Sequence, residues 1–372
     1  SGPGWDLLLQ EGRRSRFLLV GEEHGVAEVP ALVRELFEAL QPAGYRHLAI
    51  EISPAMAAVL DETARGKDGV RRLAAFFKEN PPGVAFFTLQ EEADLLAAAR
   101  AAVQGGGPVL WGLDYEMSAD RYLLDRLRKK APQGPARDAA EALYQKSAAA
   151  WKTVSEEHNP GAFFSFANPP EIFQELRKAW PNPDSESART IDLLEETLAI
   201  NQLFGQRRGW ESNERRAQLN RRNFLRHWRE AESRSQEAPR VLFKFGASHM
   251  VRGRNMSEVF DLGSLASELA AAEGGQSFHI LVIGGAGTQH AVFNPFKLQY
   301  EPAPVEMAAD PALKPILGQA LADGFTLIDL RALRPLLSAA RTKTADPELM
   351  RVVHGFDALV ILSGSQASRS LP

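Results

Sequence analysis

Phe17-Leu18-Leu19-Val20-Gly21-Glu22-Glu23-His24-Gly25 is a short apolar run that stops at two acids and an imidazole. Four consecutive apolar residues closed by a glycine read as a buried strand of a parallel sheet, which needs no polar alternation because both its faces are covered. The strand is expected to end at Gly21. Beyond it, Val29, Leu32, Val33, Leu36, Phe37 and Leu40 are spaced as one face of a helix that Pro30 is suited to begin. Glu22, Glu23 and His24 therefore sit at the carboxyl end of a strand. In open α/β sheets that edge is where ligands bind and chemistry is done.

The theme repeats outward from this stretch. Arg46-His47-Leu48-Ala49-Ile50-Glu51 is a second strand ending in an acid, joined to the first by the helix near 29–40. The default right-handed βαβ unit lays Glu51 beside the first motif. Helices are expected near 54–64 and 89–103, and Val109-Leu110-Trp111-Gly112-Leu113-Asp114 is a third strand with an acid just past its end. A lone acid after a strand is usually a helix cap; three strands delivering carboxylates to one edge point to a site. Val241-Leu242-Phe243-Lys244-Phe245 is a further apolar strand, and it ends Gly246-Ala247-Ser248-His249, again a glycine with a histidine three residues on. Glycine permits the tight departure and the imidazole projects over the sheet edge. More strands are expected at 278–283, 325–330 and 358–362, with helices near 262–272 and 331–340.

Between 118 and 235 the alternation of strand and helix gives way to amphipathic helices separated by Pro-rich loops such as Asn168-Pro169-Pro170. The expected fold is α/β, a mostly parallel sheet flanked by helices, with a helical insertion acting as a lid over the carboxyl edge of the strands. Residues 5–117 and 236–363 form the two parts of the α/β core, 118–235 the insertion, and 364–372 a disordered tail. A lid of this kind sets substrate choice and excludes water. Trp151, Phe163, Phe164, Phe166 and Trp180 are either core or the wall of an apolar pocket. The helix near 210–232 carries Arg215, Arg216, Arg221, Arg222, Arg226 and Arg229. A solvated face with some arginines paired to carboxylates is the plain reading, and one arginine facing the site is the useful one.

Composition narrows the classes. The 372-residue chain is 44% hydrophobic and 24% charged, as ordinary globular proteins are. A net charge of −4 and a pI near 6.1 give no global attraction to nucleic acid. No apolar run approaches the roughly 20 residues of a membrane span. The absence of cysteine excludes disulfides, thiolate metal sites and cysteine nucleophiles. That absence, with a start lacking methionine, favours a periplasmic or secreted home. Ser248 lacks the Gly-x-Ser-x-Gly elbow of a serine hydrolase.

Gly21-Glu22-Glu23-His24-Gly25, Ala49-Ile50-Glu51, Gly112-Leu113-Asp114 and Gly246-Ala247-Ser248-His249, in that order, resemble the superfamily uniting erythromycin esterase-like hydrolases, ChaN-type haem-uptake lipoproteins and Tiki/TraB proteins. The layout is most similar to erythromycin esterases, with the Arg216…Asn223 helix and the closing Phe356-Asp357-Ala358-Leu359-Val360, and the resemblance spans roughly 17–362. The chain departs from that family in having Gly246 where a second histidine usually stands, and Gly246 has no side chain to move a proton. The resemblance therefore implies hydrolysis without implying a macrolide substrate.

Two mechanisms follow from these residues. In one, His24 is a general base that takes a proton from water, oriented by Glu22 or Glu51, while His249 or Arg216 stabilises the oxyanion of an ester, lactone or amide. In the other, His24, His249 and a carboxylate from Glu23 or Glu51 hold one divalent metal, Zn, Mn or Co, that acidifies a bound water. Glu23, Asp114 and Arg216 are the candidate substrate contacts, for a small molecule or a peptide. The ChaN resemblance implies a non-enzymatic alternative, a protein that binds haem or another ligand.

Overall fold

In the computed structural model, which describes residues 2–105, 107–235, 238–305, 311–337 and 346–372, the founding strand β1 (Phe17–Glu22) is buried along its whole length. Leu18 and Val20 join one apolar core and Phe17 and Leu19 another. Successive side chains of a strand point to opposite faces, so an all-apolar run requires cover on both. The helix Glu28–Leu40 supplies it on one side through Val29, Leu32, Val33, Leu36 and Phe37. On the other, Phe224 of the helix Gly209–Glu232 packs edge-on against Phe17 and Phe243.

The remaining strands are β2 (Tyr45–Ile50), β3 (Leu110–Gly112), β4 (Arg240–Gly246), β5 (Ser277–Gly284), β6 (Gln289–Asn294), β7 (Gln299–Pro304), β8 (Gly324–Asp329) and β9 (Ala358–Ser363). Among the described residues the main sheet has seven strands in the order β3-β2-β4-β1-β5-β9-β8. All its pairings are parallel except β8 with β9. The fold is thus α/β and mostly parallel, with helices on both faces. One neighbour differs from expectation: β2 does not lie beside β1. β4 enters between them, Glu22 standing opposite Gly246 and Ile50 opposite Lys244. A crossover helix constrains handedness but leaves a gap that a later strand can fill.

β6 and β7, in a stretch for which the sequence reading gave no strand, pair as an antiparallel hairpin. That hairpin braces the founding motif. Gly25 has φ of +85°, a side chain there would meet the Ala291 carbonyl, and the Ala291 N–H donates to Gly25 O at 2.8 Å. The helix expected near 331–340 is a short 3-10 turn over Leu330–Leu333, and residues 338–340 lie outside the described residues. The tail 364–372, expected to be disordered, is instead tied down. Ala27 N–H donates to Gln366 O at 3.0 Å, Ser368 N–H to Gly25 O at 2.8 Å, and Leu371 N–H to Thr88 O at 2.9 Å. Its few apolar residues gave no core signal because backbone hydrogen bonds, to the turn beyond β1 and the loop before residue 90, do the anchoring. No helix among the described residues is long and apolar enough to cross a membrane.

Candidate active site

The centre of the site is one carboxylate. Glu51, a single residue past β2, lies 3.3 Å from His24 Nε2 through Oε2 and 3.4 Å from His249 Nε2 through Oε1. It also accepts the Gly246 N–H at 2.6 Å and an Arg216 N–H at 2.8 Å. Each imidazole has a second carboxylate on its other nitrogen: His24 Nδ1 is 2.8 Å from Glu22 Oε1, and His249 Nδ1 is 2.6 Å from Asp261 Oδ2. Two histidine–carboxylate pairs thus converge on one acid. β4 makes this possible, because Gly246 leaves open the space in which His24 and Glu51 meet.

Electrostatics follow from the geometry. Burial alone would raise the Glu51 pKa, yet the facing imidazoles hold it well below the usual carboxylate range. Burial disfavours the imidazolium of His24, but Glu51 and Glu22 outweigh it and raise the pKa to about 9. For His249, burial is likewise overcome, by Glu51 and Asp261, and the pKa rises to about 10. Both rings are therefore cations at neutral pH. His24 is the more open of the two, with 24% of its side chain exposed against 12% for His249.

Arg216 reaches this edge from the helix Gly209–Glu232, donating to both oxygens of Asp114 and to Glu51, with its guanidinium over the Tyr115 ring. Beneath Glu22 lies a buried cation. Lys244 Nζ donates to Glu22 Oε1 at 2.5 Å and to Glu92 Oε1 at 2.6 Å. Burial raises the Glu22 pKa, and Lys244 with His24 more than reverses that. Burial lifts Glu92 to about 7, Lys244 opposing it and the nearby Glu22 adding to it.

No family model and no curated protein matches the chain. Solved structures do. A Bacillus cereus protein superposes with a TM-score of 0.60 at 15% identity, over 100% of this chain and 94% of that one. A histidine-to-asparagine mutant of the erythromycin esterase EreC in its open conformation gives a TM-score of 0.60 at 15% identity, over 99% of this chain and 95% of that one. The chain has an erythromycin esterase-like fold. A succinoglycan biosynthesis protein is also similar, with a TM-score of 0.59 at 12% identity over 99% and 93% of the two chains.

Within this erythromycin esterase-like fold, Glu22, His24, Glu51, Asp114, Arg216 and His249 come together, and Glu23 is half-buried on the turn beside them. Several neighbours escaped the sequence reading. Phe86 stacks on His24 with ring centroids 4.0 Å apart and 16° between planes, from a backbone φ of 64° that is strained for an aromatic residue. It is held there by Tyr300 of β7, whose hydroxyl accepts the Phe86 N–H at 2.7 Å. Asp261 was hidden as the N-cap of the helix Leu262–Ala272. Lys244 did carry a signal, a lone charge in an apolar strand.

A cavity of about 20 Å³, room for one water, opens between Glu51, Phe86, Tyr115 and Arg216. The insertion contributes by holding the 114–118 turn: Glu116 N–H donates to Thr197 Oγ1 at 2.9 Å and Ser165 Oγ to Met117 O at 3.0 Å. None of the five aromatics named for an apolar pocket lines the cavity beside Glu51. Phe164 and Trp180 are core, and Trp151 packs on Phe163. The alternative of a divalent metal on His24, His249, Glu23 and Glu51 does not fit this arrangement. Both nitrogens of each ring face carboxylates, and Glu51 is already shared with the Arg216 cation, which repels a dication. Among the described residues no group of three or more His, Asp or Glu side chains is set to hold an ion.

Proposed function

We propose that this chain is a hydrolase that activates water against an ester, lactone or amide carbonyl, with His24 as general base. The observation that supports it best is the His24–Glu22 pair at the carboxyl edge of the sheet, its ring stacked on Phe86, which with Glu51 and Arg216 lines a water-sized space.

In the productive state His24 is neutral, with Nδ1–H held by Glu22 and the Nε2 lone pair turned to water. Nε2 takes a proton as the water oxygen bonds to the carbonyl carbon, and the C=O π pair moves onto oxygen. The oxyanion meets the His249 imidazolium and the Arg216 guanidinium. Collapse breaks the bond to the alkoxide or amine leaving group, which recovers the proton from His24 Nε2. Glu51 sets the two rings and the guanidinium relative to one another without itself moving a proton. The succinoglycan biosynthesis protein that shares the fold makes an acyl group on a saccharide a reasonable substrate to include.

The test is turnover of activated nitrophenyl esters, lactones and acetylated sugars. His24→Ala is expected to lose about 10²- to 10⁴-fold with its circular dichroism unchanged; undiminished turnover in that variant would remove the base assignment.

A further inference from the structure

Lys244 is the one charge in the apolar run Val241 to Phe245 of β4, and it meets Glu22 and Glu92 in a group whose side chains are none of them more than 3% exposed. Stability does not ask for such a group, because apolar side chains of the same volume serve a core as well as a buried ion pair does, or better. Its position directly behind the His24–Glu22 pair gives it another task.

Glu22 Oε1 is approached from two directions, by His24 Nδ1 at 2.8 Å and by Lys244 Nζ at 2.5 Å, while Glu22 Oε2 is buried and has no hydrogen-bond partner. Among the described residues, Lys244 is therefore the one group besides His24 that holds this carboxylate. The last torsion of a glutamate side chain is soft, so without the ammonium Oε1 is free to turn away from the ring. Lys244 is itself fixed, by Glu92 Oε1 at 2.6 Å from the first turn of the helix Gln90–Ala102 and by the Phe87 ring, whose centroid lies 5.8 Å from Nζ. Burial works against the charge of Glu22, and Lys244 is the strongest of the groups that keep it ionised. A protonated Glu22 would offer His24 Nδ1 a hydrogen instead of accepting one.

The ring answers to a second carboxylate as well. His24 Nε2 lies 3.3 Å from Glu51 Oε2, so a neutral His24 can keep its proton on either nitrogen, and the hydrogen bond made by one nitrogen decides the state of the other. The Nδ1–H tautomer is the one that leaves the Nε2 lone pair for water. We propose that Lys244 is a positioning residue of this site: by holding Glu22 Oε1 against His24 Nδ1 it fixes the proton on Nδ1 and keeps Nε2 a base, with Glu92 anchoring the ammonium. The catalytic consequence rests on His24 being the general base; the choice of tautomer does not.

Nitrogen NMR of the full chain with isotope-labelled histidine reads the tautomer directly, at a pH above the His24 pKa of about 9 and with the His24 signals assigned by their loss in His24→Ala. The unsubstituted protein should carry the proton on Nδ1. Lys244→Met should move most of it to Nε2, and should lower kcat about ten-fold or more with KM changed less than about two-fold. In Lys244→Met/Glu92→Leu the acid that Lys244 leaves unpaired is removed too, so most of the lost Tm should return while the tautomer and kcat do not. The double variant carries the test if the single one fails to fold. An Nε2–H ring in the unsubstituted protein, or an Nδ1–H ring in the double variant, overturns the proposal. So does a kcat that recovers together with Tm, which would mean that Lys244 serves stability alone. If the unsubstituted protein hydrolyses none of the test substrates, the general base falls and the tautomer alone decides the proposal, so the two failures are told apart.

Discussion

A methyl group on Gly246 would stand 3.0 Å from His24 Nε2 and 3.3 Å from Glu51 Oε2, so the contact between imidazole and carboxylate runs through the place where any other residue has its Cβ. The backbone at Gly246 has φ of −52°, which alanine adopts without strain. Gly246→Ala therefore tests space alone. Hydrolytic kcat/KM is expected to fall at least about ten-fold, with a loss of stability of about 1–3 kcal/mol. Wild-type activity in this variant would show that His24 and Glu51 do not act together.

The pH dependence of kcat/KM carries the signature of the base. With the His24 pKa raised to about 9, the neutral ring is scarce at pH 7 and the rate should climb with pH until about 9. Glu22→Gln removes one of the charges that raise it, so the limb should move to lower pH while the maximal rate drops. A rate that is flat from pH 6 to pH 9 contradicts the assignment.

Stability should run the opposite way. His249 has a folded pKa near 10, above its unfolded value of about 6.5, so its contribution is fully present below that value. It is lost as pH rises toward 10. Chemical denaturation should show the wild type losing stability between about pH 7 and pH 10, and His249→Gln losing less over the same range. Parallel slopes for the two proteins would show that the ring is not charged in the native state.

Lys244 sits between two buried acids, Glu22 and Glu92. Replacing it by methionine leaves the buried Glu92 without an ion-pair partner and Glu22 with His24 alone, and stability is expected to fall by about 3–5 kcal/mol in urea titrations. Glu92→Gln, which removes an acid already half-neutral near pH 7, should cost much less. Equal costs for the two substitutions would count against the buried pairing.

Deleting 364–372 removes the hydrogen bonds that tie the turn after Gly25 and the loop around Thr88, which flank His24 and Phe86. Turnover should fall about ten-fold or more while the sheet and its far-ultraviolet spectrum persist. Full activity after the deletion would leave the strap with no part in the site.

How much of this was legible in the chain depends on the range of the interaction. Phe17 to Val20 announced a strand covered on both faces, and the residues after it, Glu22 and His24, were placed at the right edge by local pattern. His249 was found the same way, from Gly246 and the strand before it. The hairpin Gln289–Pro304 was missed because its strands are short and half-exposed, carrying little apolar signal. The arginine helix was read as a solvated face with some arginines paired to carboxylates, and Arg216 was singled out from it; that its partners are Asp114 and Glu51 needed coordinates.

By itself the sequence determined the class of the fold and the set of polar side chains delivered to one edge of the sheet, because apolar run length, glycine stops and helical spacing are properties of neighbours along the chain. Only the tertiary structure decided that β4 lies between β1 and β2, that Glu51 is shared by His24, His249 and Arg216, and that Asp261, Lys244 and Phe86 complete the site. Strand order and side-chain partnership are long-range contacts between residues far apart in sequence. They are settled by how the faces pack and by the cost of burying a charge without a counter-charge, which no local pattern records.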